Sequence, residues 1–407
     1  MRLHLSITPY ALLLAGLGLL PASVLAVSDD FIALLDNIVE RQPEQQILQG
    51  IEAQHNANRR YANSLIAGDI ELVLHHENDR LTGNEEATNW QLGVEFPIWL
   101  ASQKSSQKQL SQGYSQELGA RQHYLKWRAS DLLRRLVWRY HSAQIEVDAA
   151  LSALQKGRQL AQKVKLKVAT GESARLDLLL AQKAVLKLQN QLVQKQSQLA
   201  IAQHQYSQWT QTTRLPSHFN ERPQPPQPLA QHPEIARLMS TLQIAQAQTR
   251  QLASFKQESP RLFLGAQSDS SMGSENASLI VELSVPLGIN PAFSPKLAQQ
   301  KRTVLEQQAL LGQAKIKLEQ DIFKARQRLA SSKQAINFSR HQYELSQQAL
   351  TMSEQAYQLG ESNIQNLLLV QQQTAQAKLD YQLAQARSGQ AIAQLNQVSG
   401  HILGEHQ

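Results

Sequence analysis

The sequence is written twice, at an offset of 189 or 190 residues. Gln42-Pro43-Glu44 recurs as His232-Pro233-Glu234, and Phe96-Pro97-Ile98 as Val285-Pro286-Leu287. Gly171-Glu172-Ser173 recurs as Gly360-Glu361-Ser362, and the three leucines at 178–180 recur at 367–369. Landmarks in one order at nearly constant spacing mark a duplicated structural unit. The period is far longer than that of a solenoid module and matches a whole supersecondary assembly. The unit can therefore be read from both copies together.

Each copy opens with a helix, about Asp29 to Ala67 in the first and Pro233 to Lys256 in the second. Pro43 and Pro233 stand at or near a helix start, where a missing N–H costs least. A strand hairpin follows. In copy one it runs through Ile70–Leu74, a polar loop at Asn78, Asp79, Gly83 and Asn84, and then Trp90 to Trp99. In copy two it runs through Arg261–Gln267, a Ser/Gly/Asn loop, and Leu279–Val285. Trp90, Leu92, Val94, Phe96 and Ile98 alternate with Gln91, Gly93 and Glu95; Leu279, Val281, Leu283 and Val285 alternate with Glu282 and Ser284. Period two with one apolar face means a sheet wetted on one side.

The period then lengthens. From Ser102 to about Val168, and from Ser294 to about Leu359, the only breakers are scattered glycines and Pro295. Ser294 would cap the second helix, with Pro295 at its first position. Each helix would be about 95–100 Å long. Leu136, Tyr140, Val147, Leu151, Leu154, Ala161 and Val164 recur at three, four or seven residues, a coiled-coil seam. Tight turns at Gly171 and Gly360 then lead into returning helices, Ala174 to about Thr212 and Asn363 to about Ser399. Between the copies, Arg214–Pro228 carries five prolines and reads as a stiff extended connector. The expected organisation is a signal at 1–26, a first repeat at 27–213, a Pro-rich connector at 214–231 and a second repeat at 232–407.

Arg2, the apolar stretch Ala11–Leu20 and the small-residue site Val24-Leu25-Ala26 form the signal pattern, so the chain is expected to be exported and cleaved before Val27. No later run reaches the roughly 18–20 apolar residues of a spanning helix. The chain has no cysteine, which excludes disulfides, thiolate metal sites and lipid attachment through Cys. The net charge of +7 is scattered along the helices without interleaved aromatics, so nucleic acid is not an expected partner.

Strands of about ten residues suit a tilted bilayer crossing, but a sheet in lipid must have no open edge. Four strands per chain would have to join others to close a barrel. Trp90 and Trp99 would bracket one strand as interfacial aromatics, with Phe96 on the same apolar face. Glu95 and Glu282, on the polar phase, would face the lumen. His75 and His76 are adjacent on a strand and point to opposite sides, a poor chelate.

The duplicated order of helix, strand hairpin, long helix, turn and helix resembles the outer-membrane efflux protein (TolC) family over nearly the whole chain after residue 26. The turns are the most specific part. Tyr357-Gln-Leu-Gly360 followed by Asn366-Leu367-Leu368, and Gly171 followed by Arg175 and Asp177-Leu178-Leu179, are similar to the family's turn pattern. The resemblance implies a mainly α fold with a small β part: two tandem repeats, each a β-hairpin and a long helical hairpin. It implies a homotrimer with a twelve-stranded barrel in outer-membrane lipid and a helical tunnel through the periplasm. Such a duct works passively, with a periplasmic adaptor and an inner-membrane pump, here most resembling the RND type. Gly171 and Gly360 would lie at the tip. Asp177 would supply a carboxylate ring, Asn366 would leave the second ring neutral, and Arg175 and Tyr357 would help to hold the tip shut. No enzyme activity, cofactor or metal site is implied.

Two rivals share parts of the pattern. A periplasmic adaptor (membrane fusion) protein would carry one helical hairpin between Gly-rich β halves, whereas this chain carries two. An exported enzyme would need a catalytic motif, and neither Gly-x-Ser-x-Gly, His-Glu-x-x-His nor a phosphate loop is present. The duct of a type I protein secretion system would look alike. On cargo, the missing lipid-bearing Cys and short strand loops look more like the metal-efflux (CzcC-like) branch than the acylated multidrug channels.

Overall fold

The computed structural model describes residues 23–79, 81, 83, 87–271, 273–288 and 290–405. Most of the expected signal, and Asn84 of the first hairpin loop, lie outside them. The elements in chain order are α1 (Ser23–Arg41), α2 (Glu44–Asn63), β1 (Glu71–Asn78), β2 (Thr88–Pro97), α3 (Ala101–Ala169) and α4 (Arg175–Thr210). A 3-10 turn (Leu229–Gln231) then precedes α5 (Pro233–Ser254), β3 (Arg261–Ser271), β4 (Ser274–Ser284), α6 (Phe293–Gln358) and α7 (Ile364–Val398). No helix among the described residues is long and apolar enough to cross a membrane.

Helix α3 has 69 residues and α6 has 66, each paired with its returning helix, α4 or α7. The shorter α2 and α5 lie along the upper part of α3, and α5 also contacts α6. The repeats are therefore interleaved, with α3 touching both. The largest core cluster joins α1, the middle of α3, the end of α4 and the C-terminal segment, with Phe31, Ile38, Leu133 and Tyr206 fully buried.

Several local expectations need correction. The single opening helix of copy one is two helices, α1 and α2. Pro43 cannot continue the hydrogen-bond ladder and disfavours helical geometry at Gln42. Ser294 is not the cap of α6, because a turn at Asn290–Ala292 starts the helix at Phe293 and leaves Pro295 within its first turn. Leu151 is 45% exposed and off the seam, whereas Leu136, Tyr140, Val147, Leu154 and Val164 are buried in it. The strands outrun their apolar alternation at their polar ends, because ladder hydrogen bonds do not require apolar side chains.

The connector is extended, and it is also bolted down. The Arg134 guanidinium on α3 makes two parallel bonds to Glu221, at 2.8 and 2.7 Å, with both side chains 5% exposed. Arg134 also donates to the His401 carbonyl at 2.9 Å and to Gln397. Asn396 of α7, fully buried, donates to Glu221 and to the Arg222 carbonyl and accepts from the Gln224 backbone. Tyr140 and Tyr206 hold the Thr213 and Arg214 carbonyls, and Phe219 packs edge-on against Trp138 at 5.1 Å. Because a buried charge stripped of its partner costs about 3–5 kcal/mol, Glu221→Gln is expected to lower the chemical denaturation midpoint by a corresponding amount. An unchanged midpoint would contradict this assignment.

His232, where the connector enters α5, is 1% exposed. Neither ring nitrogen meets the geometry of a hydrogen bond, and Trp127 lies edge-on at 5.2 Å. Burial pushes its pKa from 6.5 down to about 4; the Val398 backbone opposes the shift and nearby His401 adds to it. The folded state therefore binds fewer protons than the unfolded state between these values. The His232 contribution is intact above pH 6.5, erodes by about 1.4 kcal/mol per pH unit between 6.5 and 4, and levels off below. His232→Gln is expected to flatten the denaturation midpoint across that window relative to the parent protein.

Candidate functional site

The two hairpins form one antiparallel sheet in the order β1-β2-β3-β4. Val94 pairs with Leu72 on one side and Leu264 on the other, and Leu264 pairs with Val281. This register puts every apolar phase on one face. That face carries Leu72 and Leu74 of β1, Trp90, Leu92 and Val94 of β2, Leu264 of β3, and Leu279, Val281 and Leu283 of β4, all exposed. Leu279 is 88% exposed and Leu72 76%, so none of the described residues covers this face. Strands β1 and β4 are open edges.

The opposite face is mainly polar, interrupted by a row of Val73, Gly93, Gly265 and Ile280. One cross-strand row reads Glu71, Glu95, Phe263, Glu282. Arg261, one row below, bonds Glu95 at 2.7 Å and Glu71 at 3.1 Å, and Glu282 is exposed beside Phe263. Phe263 is 4% exposed because its ring lies over Gly93 and Gly265, where an added Cβ would stand 2.4 and 2.6 Å from it. Further out, Asp269 accepts from Asn89 and Gln267. His75 pairs with Gln91 on this face, while His76 stacks on Trp90 at 3.9 Å on the other. Among the described residues no three metal-ligating side chains come together.

Trp99 does not sit where the membrane-facing expectation put it. Strand β2 ends at Pro97, and Trp99 lies in the joint between sheet and helices. Its indole N–H donates to the Ser64 carbonyl at 3.1 Å, its ring meets Tyr61 and Phe255, and Lys104 lies over it. Trp90 and Phe96 remain on the apolar face of the strand.

At the far end of the rod the two turns are built alike. Gly171 and Gly360 have φ of +79° and +78°, a left-handed conformation that suits glycine. The Glu172 and Glu361 N–H groups reach back to Lys167 and Ala356, and Gly171 and Gly360 to Val168 and Tyr357, the paired closure of a Schellman motif. Asp177 accepts from Ser173 at 3.0 Å, and Asn366 donates to Ser362 at 3.2 Å, so the two residues tie equivalent serines. Only copy two has a side-chain cap, Asn363 to the Asn366 N–H at 2.9 Å. Arg175 is exposed and forms no ion pair with Asp177. Tyr357 packs into a cluster of Val164, Ala181, Ile364 and Leu367 that joins both hairpins. Lys167 lies 5.3 Å over its ring, and its buried hydroxyl has no partner. The structure thus brings Asp177 and Tyr357 each into a local contact and leaves Arg175 free of Asp177.

Neither a family model nor a curated protein matches the chain. Solved structures do. A membrane protein from Pseudomonas aeruginosa superposes with a TM-score of 0.70 at 16% identity, over 93% of this chain and 92% of that one. The CmeC outer membrane channel of Campylobacter jejuni gives 0.70 at 11% identity, over 91% and 86%. The open state of the MtrE outer membrane channel of Neisseria gonorrhoeae gives 0.67 at 16% identity, over 93% and 89%. The chain has the fold of the outer-membrane channels. At these identities the likeness is one of backbone, and it covers more than nine-tenths of the chain and so both repeats. The TolC-like fold expected from the duplicated order is therefore the one observed.

Sequence reasoning missed Arg261, Phe263, Lys167 and the Arg134–Glu221 pair. Phe263 had a readable signal, an aromatic on the polar phase of a strand followed by Gly265. The ion-pair partners are 87 residues apart and carry no local signature.

Proposed function

We propose that three copies of this chain form an exit duct in the outer membrane for a tripartite efflux system. Three sheets join edge to edge as a twelve-stranded barrel, and the helical hairpins form a tunnel through the periplasm. The duct is passive: an inner-membrane pump, of RND type by resemblance, and a periplasmic adaptor supply energy and cargo. It carries out no chemical step, so no residue is assigned a catalytic role. The observation that carries this reading is the sheet. Its outer face carries an exposed apolar band from Leu72 to Leu283 while both edges lack a partner, which in lipid is resolved by closure into a barrel. The likeness to solved outer-membrane channels supports the same reading.

In that assembly Trp90 and Phe96 face lipid, and Trp99 locks the barrel to the tunnel. The row of Glu71, Glu95 and Glu282 lines the lumen, with Arg261 as its only counter-charge in the adjoining rows. Repeated three times, it forms an acidic band inside a chain whose net charge is +7. Such bands favour cations over anions. At the tip, Asp177 and Asn366 supply one charged and one neutral ring, and Tyr357 ties the hairpins together.

The cleaved protein is expected to fractionate with outer membranes, to need detergent for extraction, and to show a protein mass of three chains by light scattering. A monomer soluble without detergent would sink the proposal. For the lumen assignment, Glu95→Gln/Glu282→Gln is expected to move the reversal potential of the reconstituted pore in a KCl gradient toward zero. A potential equal to that of the parent protein would place those carboxylates elsewhere.

A further inference from the structure

The two helical hairpins meet firmly at the tip cluster around Val164, Ile364 and Leu367. They meet again where Trp138 wedges against α7, at Gly389, whose missing Cβ would lie 2.1 Å from the indole. Between these contacts each hairpin stays closed within itself, Gly157 against Leu188 and Thr374 bonded to the Ser346 carbonyl, while the hairpins α3–α4 and α6–α7 flank a cavity of about 430 Å³ lined by all four helices. Its centre on α6, near Gln347, is about 20 Å from the Gly360 turn by helix rise. Ala149, Ala153 and Gly157 line it from α3 at intervals of four residues, and Ala184 and Ala375 from α4 and α7. The alanines on three helices leave room that larger residues would fill, whereas Gly157 lets α3 approach α4, an added Cβ there standing 2.7 Å from Leu188. Leu188, Leu350 and Leu368 make its floor apolar.

The rim has one sign of charge. Lys156, Lys187 and Lys378 line it from α3, α4 and α7, and no carboxylate does so among the described residues. None of the three forms a salt bridge among those residues; Lys187 makes only a long 3.5 Å contact to Gln372. Gln191, Gln347 and Tyr343 add neutral polar groups. Ammonium groups left without counter-ions over an apolar floor favour a ligand with an anionic head and a rigid or chain-like apolar body. The volume falls in the range of small-molecule sites, about 300–1,000 Å³.

We propose that this cavity binds an amphipathic organic anion of about the size of a steroid carboxylate, one per chain, between the two helical hairpins. The site is on the helical wall, remote from the acidic row of the sheet, and the proposal does not depend on cargo identity or on trimer formation. Occupied, it would fix the separation of the hairpins just above the tip.

The test is isothermal titration of cholate, below its micellar concentration, into the full-length protein held in dodecyl maltoside. Saturable binding with one cholate per chain is expected. Lys156→Glu/Lys378→Glu should weaken it by about tenfold or more at unchanged oligomer mass. Ala153→Phe, which fills the cavity without touching its charge, should abolish it. Dodecyltrimethylammonium, a cationic amphiphile, should not displace cholate. No saturable binding, equal affinity in the charge-reversed variant, or displacement by the cationic amphiphile would overturn the proposal. If the protein proved to be a soluble monomer, the duct reading would fail while this titration could still be read.

Discussion

One buried guanidinium holds the two halves of the chain in register. Arg134 sits midway along the longest helix, pairs with Glu221 of the connector, and bonds the carbonyl of His401 beyond the last helix. Three segments that have no reason to meet along the chain are fixed by one side chain with its partners Glu221 and Gln397, and by Asn396, which bonds the same Glu221. Buried ion pairs of this kind add little net stability compared with apolar packing, but they punish any other arrangement. With the connector pinned, α5 enters beside α3, and the second hairpin lands next to the first in one sheet. The continuous pairing of β2 with β3 depends on that placement.

The large-scale order was legible because it is periodic. Duplication, period-two strands and Pro-free helical stretches are properties of many residues each, and single deviations do not erase them. The sheet face followed from Trp90, Leu92, Val94 and the alternation at Leu279–Leu283. What escaped were single-residue decisions. Pro43 broke a helix because backbone sterics outweigh apolar periodicity. Trp99 looked like the end of a strand, but Pro97 had already ended it, and the indole found the Ser64 carbonyl instead. Leu151 fits a heptad yet is exposed, since the seam is set by where α4 lies against α3. At the site, Glu95 and Glu282 were readable from their phase, while Arg261 as their counter-charge depended on strand register, which sequence spacing does not specify.

The two copies share a backbone and differ in what they attach to it. Gly171 and Gly360 close the same turn with the same hydrogen bonds, so the left-handed geometry is common property. The side chains then diverge: Asn363 caps one helix and Ala174 leaves the other uncapped; Tyr357 reaches across to Lys167, while its counterpart Val168 packs within the apolar cluster. Duplication supplied symmetric scaffolding, and the asymmetry is concentrated where the hairpins touch one another.

The unpaired edges of β1 and β4 also carry a consequence for biogenesis. A helical rod can finish its own hydrogen bonding as a single chain, whereas a sheet with two bare edges beside an uncovered apolar face cannot. On the trimeric reading, the last part of the molecule to become stable is the part that enters lipid, and its stability depends on encounter with two further copies. Chains that arrive faster than partners can be found would present adhesive edges to whatever is near, so cellular supply and escort during transit become as limiting as the fold itself.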